Sequence, residues 1–320
     1  MIFGIVVLHT PPYIPLEQTG PQLFDFFKAF FQHGFFRASV PVLTFVSGYL
    51  LFKSQLDLDF SRLFQKKTKT ILLPLILFNL PFVVLLYFIQ SAGVINHDFA
   101  KQVYPFDLSI WIDGIVGLFS SPVNYPLNFL RDLYLISIAA PLFGIMIRHI
   151  PWLGFIGVVL VFWFNLDGDL VLRNTMPIVF YIGGLAAVSN WDMRRLDNLA
   201  WFLFLVFVVL CVATVQFEIV NRNYLRVVSP LLIWPAVSIV VNTPLGDWLS
   251  GLSKYSFITF LMHAPLLFIT WIIYQNFLLG VPYWVYWVFI PIIIAAILAV
   301  LYERGWRAFP RAMSVALGGR

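Results

Sequence analysis

The sequence predicts an all-α fold, a polytopic transmembrane helix bundle. Three observations support this prediction: the composition, the hydropathy and the recurring apolar runs. Of the 320 residues, 61% are hydrophobic and 11% are charged, whereas soluble domains have about 45–50% and about 25%. The mean hydropathy is +0.89. So few charges cannot cover this much apolar surface in water. The composition therefore excludes a soluble enzyme, a coiled coil, a disordered tail and, despite a pI of 9.3, a nucleic-acid-binding protein.

Apolar runs of membrane-crossing length recur along the chain. A helix rises 1.5 Å per residue, so it needs roughly 20 apolar residues to cross a hydrocarbon core of about 30 Å. The predicted spans are 35–52, 71–90, 126–147, 152–166, 174–189, 199–219, 227–242, 257–278 and 284–302. The two shortest can cross when flanking polar residues reach towards the headgroups.

The first apolar stretch, residues 1–9, is too short to cross a membrane by itself. We expect it to be the outer half of a truncated first helix whose beginning precedes residue 1, which gives about ten spans. No internal repeat or low-complexity linker is visible, so we expect a single integral membrane domain over residues 1–320.

Lys and Arg residues predict the orientation. With the N-terminus in the cytoplasm, thirteen of the 20 Lys and Arg residues fall inside and seven outside, which follows the positive-inside rule. We therefore expect a multi-pass protein with both termini inside. The densest basic cluster is the inner loop 53–70, and the long outer loops are 10–34 and 91–125.

His9 is the sharpest functional candidate among the ionisable residues of the spans. Charge inside a membrane costs several kcal/mol, so such residues are functional candidates by default. His9 ends the apolar stretch GIVVLHT in the outer half of the bilayer. An imidazole has an unperturbed pKa of about 6.5 and acts as a general base when neutral. The alternative is an interfacial histidine bonded to a carbonyl group.

The next two candidates lie in FFRASVPVLTFVSGYLLF, residues 35–52. Arg37 opens this helix and is equally compatible with anchoring the helix end at the headgroups and with facing His9. Ser47 precedes Gly48, and close helix packing by these small residues is the favoured interpretation.

Three lysines follow in KKTKTILLPLILFN, namely Lys66, Lys67 and Lys69. Lys66 and Lys69 end the basic loop just before a span. Such a cluster satisfies the positive-inside rule or meets anionic lipid, and this is the favoured interpretation. It would equally attract the phosphates of a donor such as coenzyme A.

Arg131 and Asp132 are two charges in one apolar span, NFLRDLYLISIAAPL. Adjacent residues point about 100° apart on a helix, so we expect each to pair with another helix or to line a cavity. His263, in YSFITFLMHAPLLF, is expected nearer the cytoplasmic side than His9; an inter-helix hydrogen bond is the alternative. His33 and His97 are assigned to loops, and no spacing of residues predicts a metal site.

Five segments in this order resemble the acyltransferase 3 family of bacterial integral membrane O-acyltransferases. They are GIVVLHT with His9, FRASVPVLTFVSGYLLF, the basic loop running into LLP at 72–74, FLRDL at 129–133, and SFITFLMHAPL around His263. The resemblance spans essentially the whole chain.

The resemblance implies transfer of an acyl group, often acetyl, from cytoplasmic acyl-CoA to a hydroxyl of an extracytoplasmic glycan or lipid-linked sugar at the bacterial inner (plasma) membrane. The family's first-helix histidine corresponds to His9. Its pair of loop arginines falls on Lys66 and Lys69, which would hold the CoA phosphates, and a common tryptophan is replaced by Asn128. A family arginine three turns before the histidine would precede residue 1. No permanently bound cofactor is expected.

The mechanism that we expect makes His9 the base that takes the proton of the acceptor hydroxyl. The sequence is compatible both with direct transfer and with transfer through an acyl-histidine. Arg37, or Arg131 with Asp132, would orient His9 or stabilise the oxyanion. The rival interpretation is a transporter or flippase for a glycan or lipid-linked sugar, with the same charges lining a path. A purely structural membrane protein is the third.

Overall fold

The computed structural model describes residues 1–93 and 101–319. These residues form helices and the turns between them, and none of them forms a strand. The prediction of an all-α fold is therefore confirmed. His97 and the other residues at 94–100, which belong to the predicted loop 91–125, lie outside the described residues.

Seventeen α-helices occur in the part of the chain that is described. In order they are α1 Ile2–His9, α2 Leu23–Ala29, α3 Ser39–Lys53, α4 Phe60–Lys67, α5 Leu73–Ser91, α6 Leu108–Val116, α7 Asn128–Ile138, α8 Ala140–His149, α9 Pro151–Trp163, α10 Thr175–Val188, α11 Ala200–Gln216, α12 Asn223–Ile233, α13 Val237–Val240, α14 Pro244–Leu252, α15 Ser256–Phe277, α16 Tyr283–Ala308 and α17 Pro310–Ala316. A π turn at Phe30–Gly34 and a 3₁₀ turn at Phe35–Ala38 join α2 to α3, and a π turn at Thr68–Leu72 joins α4 to α5.

Six helical runs among the described residues are long and apolar enough to cross a membrane. They are Leu23–Lys53, Phe60–Ser91, Asp197–Gln216, Asn223–Val240, Pro244–Phe277 and Tyr283–Ala308. Tyr125–Ile138, which includes α7, and Ala140–His149, which is α8, are bent by 54° relative to each other. They form a seventh run if the pair counts as one span. The bend lies at the start of α8, where Pro141 is the second residue, because proline supplies no N–H for the helix ladder. The remaining predicted segments coincide with α1, α9 and α10, so the count of ten stays a prediction.

Two helical runs begin inside predicted loops. Leu23–Lys53 begins inside the predicted loop 10–34, where Gln22 and Asp25 form a capping box. Phe60–Ser91 begins inside the basic loop 53–70, where the Asp59 carboxylate accepts a hydrogen bond from the Arg62 amide. These two loop predictions were wrong in their second halves, because charged residues interrupt the apolar pattern without ending the helix.

The contacts within the chain divide it into two compact units. Unit 1 comprises Met1–Lys53 and Ile178–Tyr302, and unit 2 comprises Ser54–Pro177 and Glu303–Arg320. In unit 1, α1 packs against α15, and Val6 joins a buried cluster with residues of α15 and α16. The expectation of one domain over residues 1–320 stays a prediction.

Small residues bring α3 and α10 together in unit 1. A Cβ atom added to Gly48 would collide with the carbonyl oxygen of Phe180, and one added to Gly183 would collide with that of Phe45. The hydroxyl of Ser47 donates to a carbonyl in its own helix, that of Leu43, at 2.7 Å. These contacts support close packing as the role of Ser47 and Gly48.

In unit 2, the carboxylate of Asp113 organises the turn that follows α6. It accepts hydrogen bonds from Lys101 Nζ at 2.6 Å, from the Ser120 hydroxyl at 2.7 Å and from the Phe119 amide at 2.7 Å. Burial raises the pKa of this carboxyl group, but the three donors outweigh burial and lower the pKa to about 2. The ionised form of Asp113 therefore holds the turn in place.

We expect this turn to loosen in acid. Because the pKa of Asp113 in the folded protein lies below its ordinary value, ionised Asp113 stabilises the turn above about pH 4, and this stabilisation is lost as the pH falls towards about 2. Cleavage by pepsin at 118–120, normalised to a reference peptide, should rise across that interval. Asp113→Asn, which cannot ionise, should be cleaved readily at pH 4 already. Equal pH dependence in both proteins would contradict the prediction.

Candidate functional site

Two histidines from different helices meet in unit 1. His9 is the last residue of α1, and His263 lies in α15. His9 Nδ1 lies 3.1 Å from His263 Nε2, and the two rings stack with centroids 5.3 Å apart. His263 is fully buried, whereas His9 is half-buried. The packing of α1 on α15 thus produces a histidine pair from two residues 254 positions apart.

The hydrogen bonds of His263 determine which nitrogens carry protons. Its Nδ1 lies 3.0 Å from the carbonyl oxygen of Thr259 and 2.9 Å from that of Phe260. Carbonyl groups only accept, so Nδ1 carries the proton, and in a neutral ring Nε2 then has a lone pair. His9 Nδ1 must therefore donate to His263. We infer that neutral His9 keeps the lone pair of a base on its Nε2.

The expectation that His263 lies nearer the cytoplasmic side than His9 was wrong. The 3.1 Å separation of their nitrogens places both side chains at one depth. The error arose because the helical run begins at Pro244, not near residue 257, so His263 lies further along its helix than the apolar pattern suggested. The alternative of an inter-helix hydrogen bond is the one that the structure contains.

The segment after His9, residues 10–14, is held in place by side chains that donate hydrogen bonds to its backbone carbonyl oxygens. Four side chains donate to these carbonyls: Gln32 to Thr10 at 2.9 Å, Tyr283 to Pro11 at 3.0 Å, Lys28 to Pro12 at 2.9 Å, and His33 to Ile14 at 2.8 Å. We call this arrangement the carbonyl clamp. It limits the movement of the chain that leaves His9.

Gln32, Lys28 and His33 were not identified from the sequence. All three are buried, and His33, assigned to a loop, lies in the π turn of the run Leu23–Lys53. A π turn inserts an extra residue and changes the helix face on which side chains lie. Helical periodicity therefore cannot place Gln32 and His33, which lie in the turn. The usable signal was two polar residues inside the aromatic stretch FFQHGFF.

Arg37 lies against the same segment. Its Nε donates to the carbonyl of Gln32 at 3.0 Å, its Nη2 to the Tyr13 hydroxyl at 3.4 Å, and its guanidinium carbon lies 5.8 Å from the centre of the Tyr13 ring. These contacts favour the second of its two predicted positions, towards the region of His9. Its catalytic role stays a prediction.

In unit 2, Arg131 and Asp132 pair with each other, which corrects the expectation that they do not. Arg131 Nη1 lies 2.7 Å from Asp132 Oδ1, and both side chains are buried. Neighbouring Cβ atoms of a helix point about 100° apart. The side chain of arginine is nevertheless long enough to reach the carboxylate of the next residue.

The pair also holds two connecting segments. Arg131 donates to the carbonyls of Gly117 at 2.7 Å and Leu170 at 2.6 Å, and Asp132 accepts from the amide of Arg173 at 3.0 Å. We therefore assign Arg131 and Asp132 a structural role; nothing in these contacts tests a role in catalysis.

The remaining candidates also lie in unit 2. The amide of Asn128 reaches the Ser121 hydroxyl at 3.5 Å, a long hydrogen bond. Lys66 lies in the last turn of α4 and Lys69 lies in the following π turn, and both are exposed. The backbone at Gly318 packs against Thr70, next to Lys69. Within the described residues, no group of three His, Cys, Asp or Glu side chains could hold a metal ion.

Comparison with known proteins gives one family and one relative. The acyltransferase domain family matches residues 1–302. The succinoglycan biosynthesis protein ExoH of Rhizobium meliloti (strain 1021) is 28% identical over 338 aligned residues, which cover 100% of this chain and 90% of that protein. No solved structure matches the chain.

Proposed function

The chain belongs to the acyltransferase domain family, and from this premise we propose that it moves an acyl group, acetyl in the first instance, from cytoplasmic acyl-CoA to a hydroxyl of an extracytoplasmic or lipid-linked glycan. Family membership makes it an O-acyltransferase, and its apolar helices make it a multi-pass membrane protein. The same membership favours acyl transfer over the transporter or flippase. The distribution of Lys and Arg supports the bacterial inner membrane with both termini inside.

The acceptor is proposed from the relative and from the site. The relative carries the name of a succinoglycan biosynthesis protein, which supports a polysaccharide or its lipid-linked precursor as the acceptor. Tyr13 offers an exposed aromatic ring close to the segment that follows His9, and such a ring can pack against the apolar face of a sugar.

The histidine pair is the observation that carries the proposal. His9 Nε2 takes the proton of the acceptor hydroxyl as its oxygen attacks the thioester carbonyl carbon. The tetrahedral intermediate then expels the CoA thiolate, which takes the proton back from His9, so that an ester and free CoA thiol leave. His263 accepts the hydrogen bond from His9 Nδ1 at 3.1 Å and so keeps the lone pair on Nε2.

The remaining candidates take supporting roles in this proposal. Arg37 and the carbonyl clamp position the chain next to His9, and a cationic group there favours an oxyanion. Lys66 and Lys69 bind the phosphates of acyl-CoA as point charges without the bidentate geometry of arginine. No permanently bound cofactor is needed for this chemistry.

The donor site is tested by removing the two lysines together. Hydrogen bonds to charged groups contribute about 1.5–3 kcal/mol each, so Lys66→Gln/Lys69→Gln should raise KM for acetyl-CoA by about tenfold or more, with little change in kcat. The assay measures release of free CoA thiol by purified protein in nanodiscs with succinoglycan oligosaccharide as acceptor.

The matched control is Lys254→Gln, which removes one exposed cation in unit 1 and should leave KM for acetyl-CoA within twofold. An unchanged KM in the double variant would remove Lys66 and Lys69 from the donor site. Absence of acetyl-CoA-dependent release by the unmodified protein with all glycans tried would contradict the proposed function itself.

A further inference from the structure

We propose that unit 1 contains a binding site for an anionic group of the acceptor, a phosphate or a carboxylate, formed by Lys28, Arg37 and Arg222. This inference rests on the proposed function, since it assigns the site to the acceptor, and it adds a chemical class to that acceptor. We call the three residues the cation cluster.

The cation cluster lies around the segment that follows His9, with two direct contacts and one contact through His33. Lys28 donates to the carbonyl of Pro12 at 2.9 Å, and Arg37 contacts the hydroxyl of Tyr13 at 3.4 Å. Arg222 donates to His33 Nδ1 at 2.5 Å. Because arginine only donates, His33 Nε2 carries the proton and donates to Ile14.

Arg222 reaches the segment only through His33, and Arg37 also donates to the carbonyl of Gln32, the residue before His33, so the three cations lie in one neighbourhood. This neighbourhood begins three residues after His9. A group bound there would hold its neighbouring hydroxyls within reach of the proposed base.

Two cations of this cluster, Lys28 and Arg222, form no ion pair with a described residue. Lys28 is only 4% exposed, and among the residues that the structure describes neither Lys28 nor Arg222 has a carboxylate oxygen within 4.0 Å. Buried cations in membrane proteins commonly pair with opposite charge or with backbone carbonyls. Here a carbonyl group and His33 satisfy hydrogen bonds of Lys28 and Arg222. Asp25, which lines the cavity beside Lys28 without an ion pair to it, offsets only one of these two charges, and an anionic ligand would neutralise the other.

A small cavity opens beside Lys28 and His33. Its volume is about 20 Å³, and Ile14, Thr19, Asp25 and Gln32 also line it. This is enough for about one water molecule, so the anionic group would bind at the mouth of the cavity and not inside it. Asp25 would oppose an anion there, but its oxygens can accept from sugar hydroxyls, and Tyr13 provides a ring for the sugar face.

Two sources of the anion share this chemistry, namely the diphosphate that joins a glycan to its lipid carrier and a carboxylate on the glycan itself. The probes are inorganic diphosphate and methyl glucuronide, with neutral methyl glucoside as control. At least one anion should inhibit acetyl transfer competitively with the acceptor and raise the thermal unfolding temperature. Inhibition by diphosphate alone indicates the phosphate source, and inhibition by the glucuronide alone indicates the sugar carboxylate.

Arg222→Gln should raise the inhibition constant of the effective anion by about tenfold, whereas Arg222→Lys, which keeps the charge, should retain most of the inhibition. Arg222 is half-buried and therefore the safer first variant; Lys28→Met is the second. Lys66→Gln/Lys69→Gln serves as background, so that diphosphate bound at the donor site is not counted.

The unfolding measurement needs no acetyl-CoA, so it separates the two proposals. An anion-dependent shift that Arg222→Gln abolishes supports the site even in protein that transfers no acyl group. Acyl transfer that neither anion inhibits, or equal anion effects in Arg222→Gln and the unmodified protein, would overturn the anion site and leave the proposed function intact.

Discussion

Replacing His9 with alanine is expected to lower kcat for acyl transfer by about 10²–10⁴-fold, the range for a general base. The structure gives the reason, since His263 accepts from His9 Nδ1 at 3.1 Å and so leaves the basic lone pair on Nε2. The measurement is release of CoA thiol under saturating acetyl-CoA and acceptor. KM for acetyl-CoA should change little, because the proposed role of His9 is to deprotonate the acceptor.

Two further variants make this result specific. His149→Ala removes an exposed histidine at the end of α8 and should leave kcat unchanged. His263→Leu should reduce kcat less than His9→Ala does, because the base remains but its tautomer is no longer selected. A His9→Ala protein that is folded and retains full activity would eliminate His9 as the base.

Replacing Arg131 with glutamine is expected to cost about 3–5 kcal/mol of the free energy of unfolding, because it leaves the buried carboxylate of Asp132 without its cation. The carbonyls of Gly117 and Leu170 also lose a donor. The free energy is measured by denaturant titration of the protein in mixed micelles. Arg62→Gln, at an exposed position of unit 2, should change it by less than about 0.5 kcal/mol.

A double-mutant cycle with Asp132→Asn tests the assignment further. Because the two side chains touch, the double variant should cost less than the two single variants summed. If Arg131→Gln instead keeps the full free energy of unfolding and abolishes acyl transfer, the structural role is wrong and the catalytic one returns.

The fold could be predicted from the sequence because the bilayer imposes a length and an apolar composition on every crossing helix. The helix starts at Leu23 and Phe60 were missed, although their capping residues are visible in the sequence: Gln22 with Asp25, and Asp59. A prediction that gives capping residues more weight than charged interruptions of the apolar pattern would find both helix starts.

The candidate site was predictable only as separate residues. His9 and His263 each stood out because ionisable groups are rare in spans, yet their pairing depends on the packing of α1 against α15, which no local pattern encodes. The carbonyl clamp was missed for a related reason. Its donors come from α2, from the π turn that follows it and from the start of α16, and its acceptors are backbone atoms that carry no sequence signal.

The carbonyl clamp has a consequence for substrate choice. Four donors hold residues 10–14, the segment that follows the proposed base. This segment therefore cannot move to admit a bulkier acceptor. If the proposed acceptor binds there, its selection depends on the preformed shape of this segment and not on closure around the substrate. A relative that modifies a differently shaped sugar would need a different set of donors at these positions.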